Sequence, residues 1–296
     1  MELYKKGKNM KKSKENIQEN QPGLTSEMVN KPIHIYEDYK PTDKLKNKVA
    51  VITGGDSGIG KAISLHFVKE GAKVAFTYHK REKQDADKTL KELENLTENS
   101  NDILAVEVEL KNYDQCKEFI DKVYNYFGRI DILINNAAVQ FPKDDVTNIS
   151  AKQLKITFET NFYHYIYMIK AALKYMKKGA CIINTTSVTA YTGRADLIDY
   201  SSTKGAIVAL TRSLAKNIIK NGIRVNAVAP GPVWTPLIPS SFSKEKVEHF
   251  GESCLWGEPA QPADIAPAYV FLANNVESNY FIGQVLHPNG GEIVNS

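Results

Sequence analysis

Seven short apolar runs, most of them rich in Val and Ile, constrain the fold of this chain more than any other feature. Each is four to six residues long, and segments of helical periodicity lie between most of them. Near-continuous apolar strands that alternate with helices indicate a parallel sheet covered by helices on both faces. We therefore predict one α/β domain with a seven-stranded parallel sheet. The runs are residues 49–52, 73–77, 103–108, 130–134, 180–184, 223–228 and 281–286.

The segments between these runs contain the predicted helices. Glycines suited to a helix C-cap, where the backbone takes a left-handed conformation, follow four of them. These glycines are Gly71, Gly128, Gly179 and Gly222. The predicted helices are 60–70, 82–96, 114–127, 151–177, 200–220 and 263–273.

The distribution of charge argues against nucleic-acid binding. The formal net charge is +4, and residues 1–48 hold 11 lysines, no arginine and seven acidic residues, which accounts for all of it. A nucleic-acid enzyme would carry its basic excess on the folded body. No run of 18 apolar residues occurs in the sequence, so we expect no membrane span. The first residues lack the apolar segment of a signal peptide.

Cysteine usage points to a reducing compartment. The three cysteines, Cys116, Cys181 and Cys254, are scattered and show no metal-ligand spacing. A sparse, odd count fits a protein that forms no disulfides. We expect a cytoplasmic protein with no bound metal, in which these cysteines are small buried hydrophobic residues.

The first 45 residues differ in composition from the rest. They are rich in Lys, Asn, Gln and Glu, and the first twenty have a composition typical of disorder. Residues 32–36 (PIHIY) are apolar enough to lie along the domain as an extended arm. We therefore divide the chain into an N-terminal extension, residues 1–45, and the α/β domain, residues 46–296.

A glycine-rich loop directly follows the first predicted strand. Residues 53–61 read TGGDSGIGK and lead into the first predicted helix. Glycines let the backbone turn tightly and approach a pyrophosphate, which then lies at the helix N-terminus. A Walker loop would end in Gly-Lys-Ser/Thr, whereas Ala62 follows Lys61 here. We therefore predict a dinucleotide site; the alternative is a plain tight turn.

The end of the second predicted strand bears on the choice of dinucleotide. An NAD site commonly has an acidic residue about 20 residues beyond the glycines. This chain has Tyr78 there, followed by His79, Lys80 and Arg81. The missing carboxylate and the three potentially cationic groups favour the 2′-phosphate of NADP(H) over NAD(H). Alternatively, Lys80 and Arg81 merely open a solvated helix.

Tyr200 and Lys204 flank three small hydroxyl residues in the stretch DYSSTKG. On a helix, residues four apart lie on the same face, so a phenol and an ammonium would be neighbours. Taken alone, the pair more often indicates a solvated helix face, because two-residue motifs are common.

Taken together, the motifs resemble the short-chain dehydrogenase/reductase family. The match covers about residues 46–293. It is closest to bacterial members with a long N-terminal extension, related to glucose dehydrogenases and general-stress oxidoreductases. Ala138 replaces the glycine of the family's Asn-Asn-Ala-Gly motif. The matching motifs are Thr53-Gly54-xxx-Gly58-x-Gly60, Asn135-Asn136-Ala137-Ala138, Asn161, Ser187, Tyr200-xxx-Lys204 and Pro230-Gly231.

The resemblance implies a Rossmann-type doubly wound fold and an NAD(P)-dependent oxidoreductase. Such an enzyme transfers a hydride between a nicotinamide and a small alcohol/carbonyl substrate. Tyr200 would be the general acid and base, with its pKa lowered towards neutrality by Lys204 and by an oxidised nicotinamide. Ser187 would hydrogen-bond the substrate oxygen. Lys204 would also bind the nicotinamide ribose, and Asn161 would hold a water that links Lys204 to solvent.

The resemblance also implies cofactor contacts along the whole carboxyl edge of the sheet. Glu109 stands where the family usually has Asp, and its extra methylene changes the geometry of the adenine contact. The expected contact residues are Gly54, Asp56, Ser57, Gly58, Ile59, Gly60, Tyr78, His79, Lys80, Glu109, Leu110, Asn136, Ala137, Ala138, Tyr200, Lys204, Pro230, Gly231, Val233 and Thr235.

Residues 236–262 correspond to the family's variable lid. Their aromatic side chains could form a substrate wall, pack within the lid or contact another subunit. Arg194, in the opposite loop, could meet an anionic substrate or lie at the surface. The resemblance further implies a homotetramer in which helices 151–177 and 200–220 pair between subunits.

Two other functions are compatible with a dinucleotide fold. A non-catalytic sensor or scaffold would have degraded catalytic positions, whereas Asn161, Ser187, Tyr200 and Lys204 are all present. An epimerase or dehydratase of the extended type would have a different glycine spacing and a second substrate domain.

Overall fold

Seven strands form one parallel sheet in the computed structural model, which describes residues 17–294. The strands are β1 (Val49–Ile52), β2 (Lys73–Tyr78), β3 (Ile103–Glu107), β4 (Ile132–Asn135), β5 (Cys181–Thr185), β6 (Arg224–Val228) and β7 (Val285–Leu286). They lie in the order β3-β2-β1-β4-β5-β6-β7. The predicted doubly wound, single-domain α/β fold is confirmed. Residues 1–16, most of the segment predicted to be disordered, lie outside the described residues.

Helices connect these strands and cover both faces of the sheet. The helices are α1 (Gly58–Lys69), α2 (Lys83–Glu94), α3 (Tyr113–Phe127), α4 (Ala151–Phe158), α5 (His164–Ala172), α6 (Thr189–Thr192), α7 (Ile198–Ile218), α8 (Lys244–Glu248), α9 (Pro262–Ala273) and α10 (Asn275–Ser278). Helix α3 ends at Gly128, whose φ of 76° suits a glycine.

Two apolar clusters hold the layers together. On one face, Ile63 and Phe67 of α1 and Tyr269 of α9 pack against the sheet. On the other face, Phe119 of α3 and Met168 of α5 do the same. Every residue of β1, β4, β5 and β6 is buried. These strands are therefore covered on both sides, which explains why β1 and most of β4 read as continuous apolar runs.

One predicted helix differs from the structure. The segment predicted as a single helix over 151–177 contains α4, a π-helical turn over Glu159–Tyr163, and α5, which ends at Ala172. A π turn inserts one extra residue per turn and often marks a functional position in a helix. Sequence periodicity does not reveal such an insertion, because the apolar residues on either side keep a helical spacing.

The topology brings the loops after several strands to one edge of the sheet. Strand order reverses between β1 and β4, and in doubly wound folds ligands bind outside the carboxyl ends of the strands at such a point. Ahead of β1, residues 17–48 run over the surface of the domain from this edge, which Gln21, Pro22 and Gly23 reach, to the opposite edge where β1 begins. Within the described residues, no helix is both long enough and apolar enough to cross a bilayer.

Candidate active site

A large cavity lies at the carboxyl edge of the sheet. Its volume is about 800 Å³, within the roughly 300–1,000 Å³ of small-molecule and cofactor sites. Most of the residues predicted to contact a cofactor line it, namely Gly54, Ser57, Gly58, Ile59, Tyr78, His79, Glu109, Leu110, Asn136, Ala137, Ala138, Tyr200, Lys204, Pro230, Gly231, Val233 and Thr235. Four predicted site residues are not among the lining residues: Asp56, Gly60, Lys80 and Asn161.

The glycine loop has a shape that only glycines allow. Gly54 and Gly58 have φ values of 64° and 49°, in the left-handed region that side chains disfavour. A Cβ on Gly60 would lie 1.8 Å from the carbonyl oxygen of Gly54. Gly60 is therefore required for the loop to pack on the helix, although it does not line the cavity.

The loop fits a pyrophosphate. Helix α1 begins at Gly58, and its N-cap residue, Ser57, makes no side-chain capping bond to a described residue. The first turn contains no acidic side chain. Backbone N–H groups at this helix end are thus available to an anion, which the helix dipole also favours.

Asp56 lies behind the glycine loop and is 1% exposed. Burial, with the nearby charge of Asp85, raises the pKa of Asp56 to about 7. Burial and the charge of Asp56 also hold the pKa of Glu82 well above its usual range. Burial thus favours the neutral form of both carboxyl groups behind the loop. No group of three or more metal-binding side chains suited to an ion occurs within residues 17–294.

A short turn at the end of β2 determines which side chains reach the cavity. The Arg81 N–H donates to His79 Nδ1 at 3.3 Å, and the His79 N–H donates to Glu82 Oε2 at 3.3 Å. This capping box leaves Lys80 exposed, whereas Glu82 lines the cavity. Our sequence analysis missed Glu82; the three-residue spacing from His79 was the available signal.

Tyr200 and Lys204 lie near the start of α7, and both are buried. Lys204 Nζ donates to the Thr185 carbonyl oxygen at 3.0 Å and lies 5.3 Å from the centroid of the Tyr200 ring. The alternative of a solvated helix face is therefore wrong. Both groups line the cavity that contains the glycine loop.

Burial dominates the protonation of this pair. It raises the pKa of Tyr200 to about 12, despite opposing effects of a Ser187 hydrogen bond and the Arg194 charge. It also lowers the pKa of Lys204 to about 7. Burial disfavours the charged form of both groups, and the lowering of the Tyr200 pKa by Lys204 together with an oxidised nicotinamide stays a prediction for the cofactor complex.

Ser187 follows β5 and lines the cavity. Its Oγ accepts hydrogen bonds from the Thr189 N–H at 3.2 Å and from Thr189 Oγ1 at 3.1 Å. With both lone pairs occupied, the Ser187 hydroxyl hydrogen is available to Tyr200 or to a substrate oxygen.

Asn161 lies in the π-helical turn and is fully buried. Its side chain donates to the Val139 carbonyl oxygen at 2.8 Å and accepts from the Val139 N–H at 2.8 Å. Its Nδ2 also donates to Thr203 Oγ1 at 3.3 Å. Asn161 therefore ties the segment after β4 to the helix that carries Tyr200 and Lys204.

The lid and the loop before α7 form the outer wall of the cavity. The Arg194 guanidinium stacks 4.7 Å from the Phe242 ring centroid and donates to Asp196 Oδ1 at 2.8 Å. Lys246 Nζ donates to Asp196 Oδ2 at 2.9 Å. Arg194 thus stabilises the wall. Trp256 is 54% exposed and does not line the cavity.

Comparisons with known proteins match this chain over most of its length. Residues 54–292 match a family model described as enoyl-(acyl carrier protein) reductase. The chain belongs to the short-chain dehydrogenase/reductase family and is an NAD(P)-dependent oxidoreductase that acts on CH–OH groups. This assignment leaves the non-catalytic scaffold without support.

The chain is 49–51% identical to three known proteins. It is 51% identical to NADPH-dependent aldehyde reductase 1, chloroplastic, of Arabidopsis thaliana, over 96% of this chain and 99% of that protein. It is 51% identical to glucose and ribitol dehydrogenase of Daucus carota, over 94% and 96%. It is 49% identical to general stress protein 39 of Bacillus subtilis (strain 168), over 94% and 95%.

Solved structures support the same assignment. A short-chain dehydrogenase from Burkholderia cenocepacia J2315 in complex with NADP matches with a TM-score of 0.77 and 26% identity. That match covers 84% of this chain and 98% of the other. These similarities support a nicotinamide cofactor for this chain.

Proposed function

We propose that this enzyme interconverts an alcohol and a carbonyl on a small molecule, with Tyr200 as general acid and base. One observation carries the proposal: Ser187, Tyr200 and Lys204 line the same cavity as the glycine loop. The nicotinamide cofactor, when bound, supplies or accepts the hydride.

The protein side chains would handle the proton and the substrate oxygen. With its pKa raised, Tyr200 is a neutral phenol near pH 7 and can give a proton to a carbonyl oxygen during reduction. Ser187 would donate its free hydrogen to the same oxygen as negative charge develops there. Lys204 would hold the ribose, and Asn161 would keep Val139 and Thr203 in place around it.

A Tyr200→Phe variant tests this assignment. We expect turnover of aldehydes and of sugar alcohols to fall by at least about 100-fold, the usual lower range for loss of a general acid. Binding of NADPH, measured by fluorescence titration, should stay within about threefold, because the ring is retained. Tyr126→Phe, which changes an exposed tyrosine on α3, is the matched control. Full activity of Tyr200→Phe would refute the role of Tyr200.

We further propose that NADP(H) is preferred over NAD(H). His79 lines the adenosine end of the cavity, and a similar protein is named as NADPH-dependent. The carboxyl group of Glu82 lies at the same end, and burial with the charge of Asp56 raises its pKa, which favours the neutral form and weakens its repulsion of a 2′-phosphate. NADPH and NADH should be titrated against wild type and Glu82→Gln. Tighter binding of NADH by the wild type would overturn the preference.

Assembly as a homotetramer is a separate proposal, based on the family resemblance. Pairing of helices α4–α5 and α7 between subunits would cover apolar groups exposed in the single chain, such as Leu154 of α4 and Tyr163 of the π-helical turn. Light scattering should give about four times the chain mass of 33.1 kDa. A monomer would refute it.

A further inference from the structure

The N-terminal arm contributes a loop to the cavity that the glycine motif and the catalytic residues do not explain. Residues 18–24, here called the arm loop, are closed by one buried side chain. Gln18 Nε2 donates to the Leu24 carbonyl oxygen at 2.8 Å, and the Leu24 N–H donates to Gln18 Oε1 at 2.7 Å. The tip of the arm loop, Gln21, Pro22 and Gly23, lines the cavity.

The tip contacts two opposite walls. The Gln21 side-chain amide donates to the Gln140 carbonyl oxygen, and its Oε1 accepts from the Gln140 N–H at 3.1 Å. Gln140 directly follows Val139, which Asn161 holds. Gly23 packs so tightly on the lid that a Cβ there would lie 2.3 Å from the Pro236 carbonyl oxygen. The arm loop therefore joins the segment after β4 to the first residue of the lid.

The arm is also anchored on helix α2, which follows β2. Asp85 of α2 is 4% exposed, and its carboxylate accepts the Thr25 N–H at 2.6 Å and the Ser26 N–H at 3.1 Å. Hydrogen bonds to a buried carboxylate are among the stronger ones in proteins. On the lid side, the Gln18 N–H donates to the Pro239 carbonyl oxygen at 2.8 Å. The arm loop is thus held at both ends, on elements that belong to different sides of the cavity.

We propose that the arm loop is an additional wall of the dinucleotide site and limits cofactor release. The inference rests on the proposed function, since it requires a bound dinucleotide. The tip lies beside Pro236, whose ring is also near Gly58 of the glycine loop: a Cβ on Gly58 would be 3.8 Å from Pro236 Cδ. A dinucleotide on the glycine loop must therefore leave past the arm loop or displace it.

A Gln18→Ala variant opens the arm loop without changing a residue that lines the cavity. Loss of its two side-chain bonds should speed NADPH release, measured by stopped-flow fluorescence, by roughly five- to tenfold. The KM for NADPH should rise in parallel, while kcat should not fall. Gln84→Ala, which changes an exposed glutamine on α2, is the matched control. Gly23→Ala is a second variant, because its Cβ must displace the tip from Pro236.

Hydrogen exchange of the wild type supplies an independent measurement that does not depend on the folding of a variant. NADPH should slow exchange in peptides that cover residues 17–30. The slowing should exceed that in α3, which serves as the reference for general stabilisation. Unchanged exchange there, or release rates of both variants within twofold of wild type, would overturn the inference and leave the proposed function intact. If the wild type bound neither NADPH nor NADH, both would fall.

Discussion

At the scale of single residues, Lys204 shows how burial and function compete. Its side chain is buried, and its ammonium donates a hydrogen bond to the Thr185 carbonyl oxygen. Burial lowers its pKa from 10.5 to about 7. Burial of this amine destabilises the fold, but it keeps a titratable group beside Tyr200, where it could hydrogen-bond a ribose hydroxyl.

This burial predicts a pH dependence of stability. Below pH 7 Lys204 is protonated in both the folded and the unfolded chain. Between pH 7 and 10.5 the unfolded chain binds a proton that the folded chain lacks, so stability rises with pH. Relative to Lys204→Met, wild type should gain on the order of 2 kcal/mol between pH 7 and 9. Urea unfolding at both pH values measures this, and an unchanged difference between the two proteins would contradict the cause given for the shift.

At the scale of elements, the glycine loop and α1 form one rigid unit, because the Gly60 backbone contacts that of Gly54. Gly60→Ala would place a methyl group 1.8 Å from a carbonyl oxygen, and backbone must move to relieve it. We expect NADPH affinity to fall by at least about tenfold, with some loss of stability, because overpacking typically costs about 1–3 kcal/mol.

Gly205→Ala is the matched control for Gly60→Ala. Gly205 is also helical, and a Cβ there would have no heavy atom within 4 Å. Its NADPH affinity should stay near that of wild type. If calorimetric titrations gave equal NADPH affinities for the two variants, the close approach of Gly60 to the Gly54 carbonyl oxygen would not determine the shape of the site.

How far the sequence predicts these elements depends on the range of the interactions. Most strands and the glycine loop follow from local pattern, and the structure has them, but the last strand, predicted over 281–286, is only Val285–Leu286. Glu82 and the π turn at Asn161 depend on a capping box and an extra residue that apolar periodicity does not record. The contact of Gln21 with Gln140 joins residues 119 positions apart, so only the folded chain brings them together.

At the scale of the whole molecule, segments distant in sequence converge on one cavity. The arm loop, the lid and Glu292 near the C-terminus all line it, and Gly231 packs against Asn289, where a Cβ would lie 2.6 Å from the carbonyl oxygen. The parallel sheet supplies a fixed edge, and these segments supply the walls. Substrate selectivity should therefore depend on how the walls are joined as well as on the catalytic residues.

The link between the lid and the loop before α7 tests this view. Lys246 on α8 pairs with Asp196, whose side chain is 15% exposed. Lys246→Ala should loosen the lid and raise the KM for the carbonyl substrate about two- to fivefold, because a partly exposed ion pair contributes up to about 1 kcal/mol. The kcat should change little, since Ser187 and Tyr200 lie on other elements.

Two controls distinguish loss of the Lys246–Asp196 pair from a general change of charge on the lid: the Lys244→Ala variant and the dependence of KM on ionic strength. Lys244→Ala removes an exposed lysine from the same helix and should leave KM unchanged. Raising ionic strength screens the Lys246–Asp196 pair and should increase the KM of wild type. The KM of Lys246→Ala should stay nearly constant, because this variant lacks the pair. If both lysine variants raised KM equally, the lid would act through its overall charge, and the specific pairing with Asp196 would not control access to the cavity.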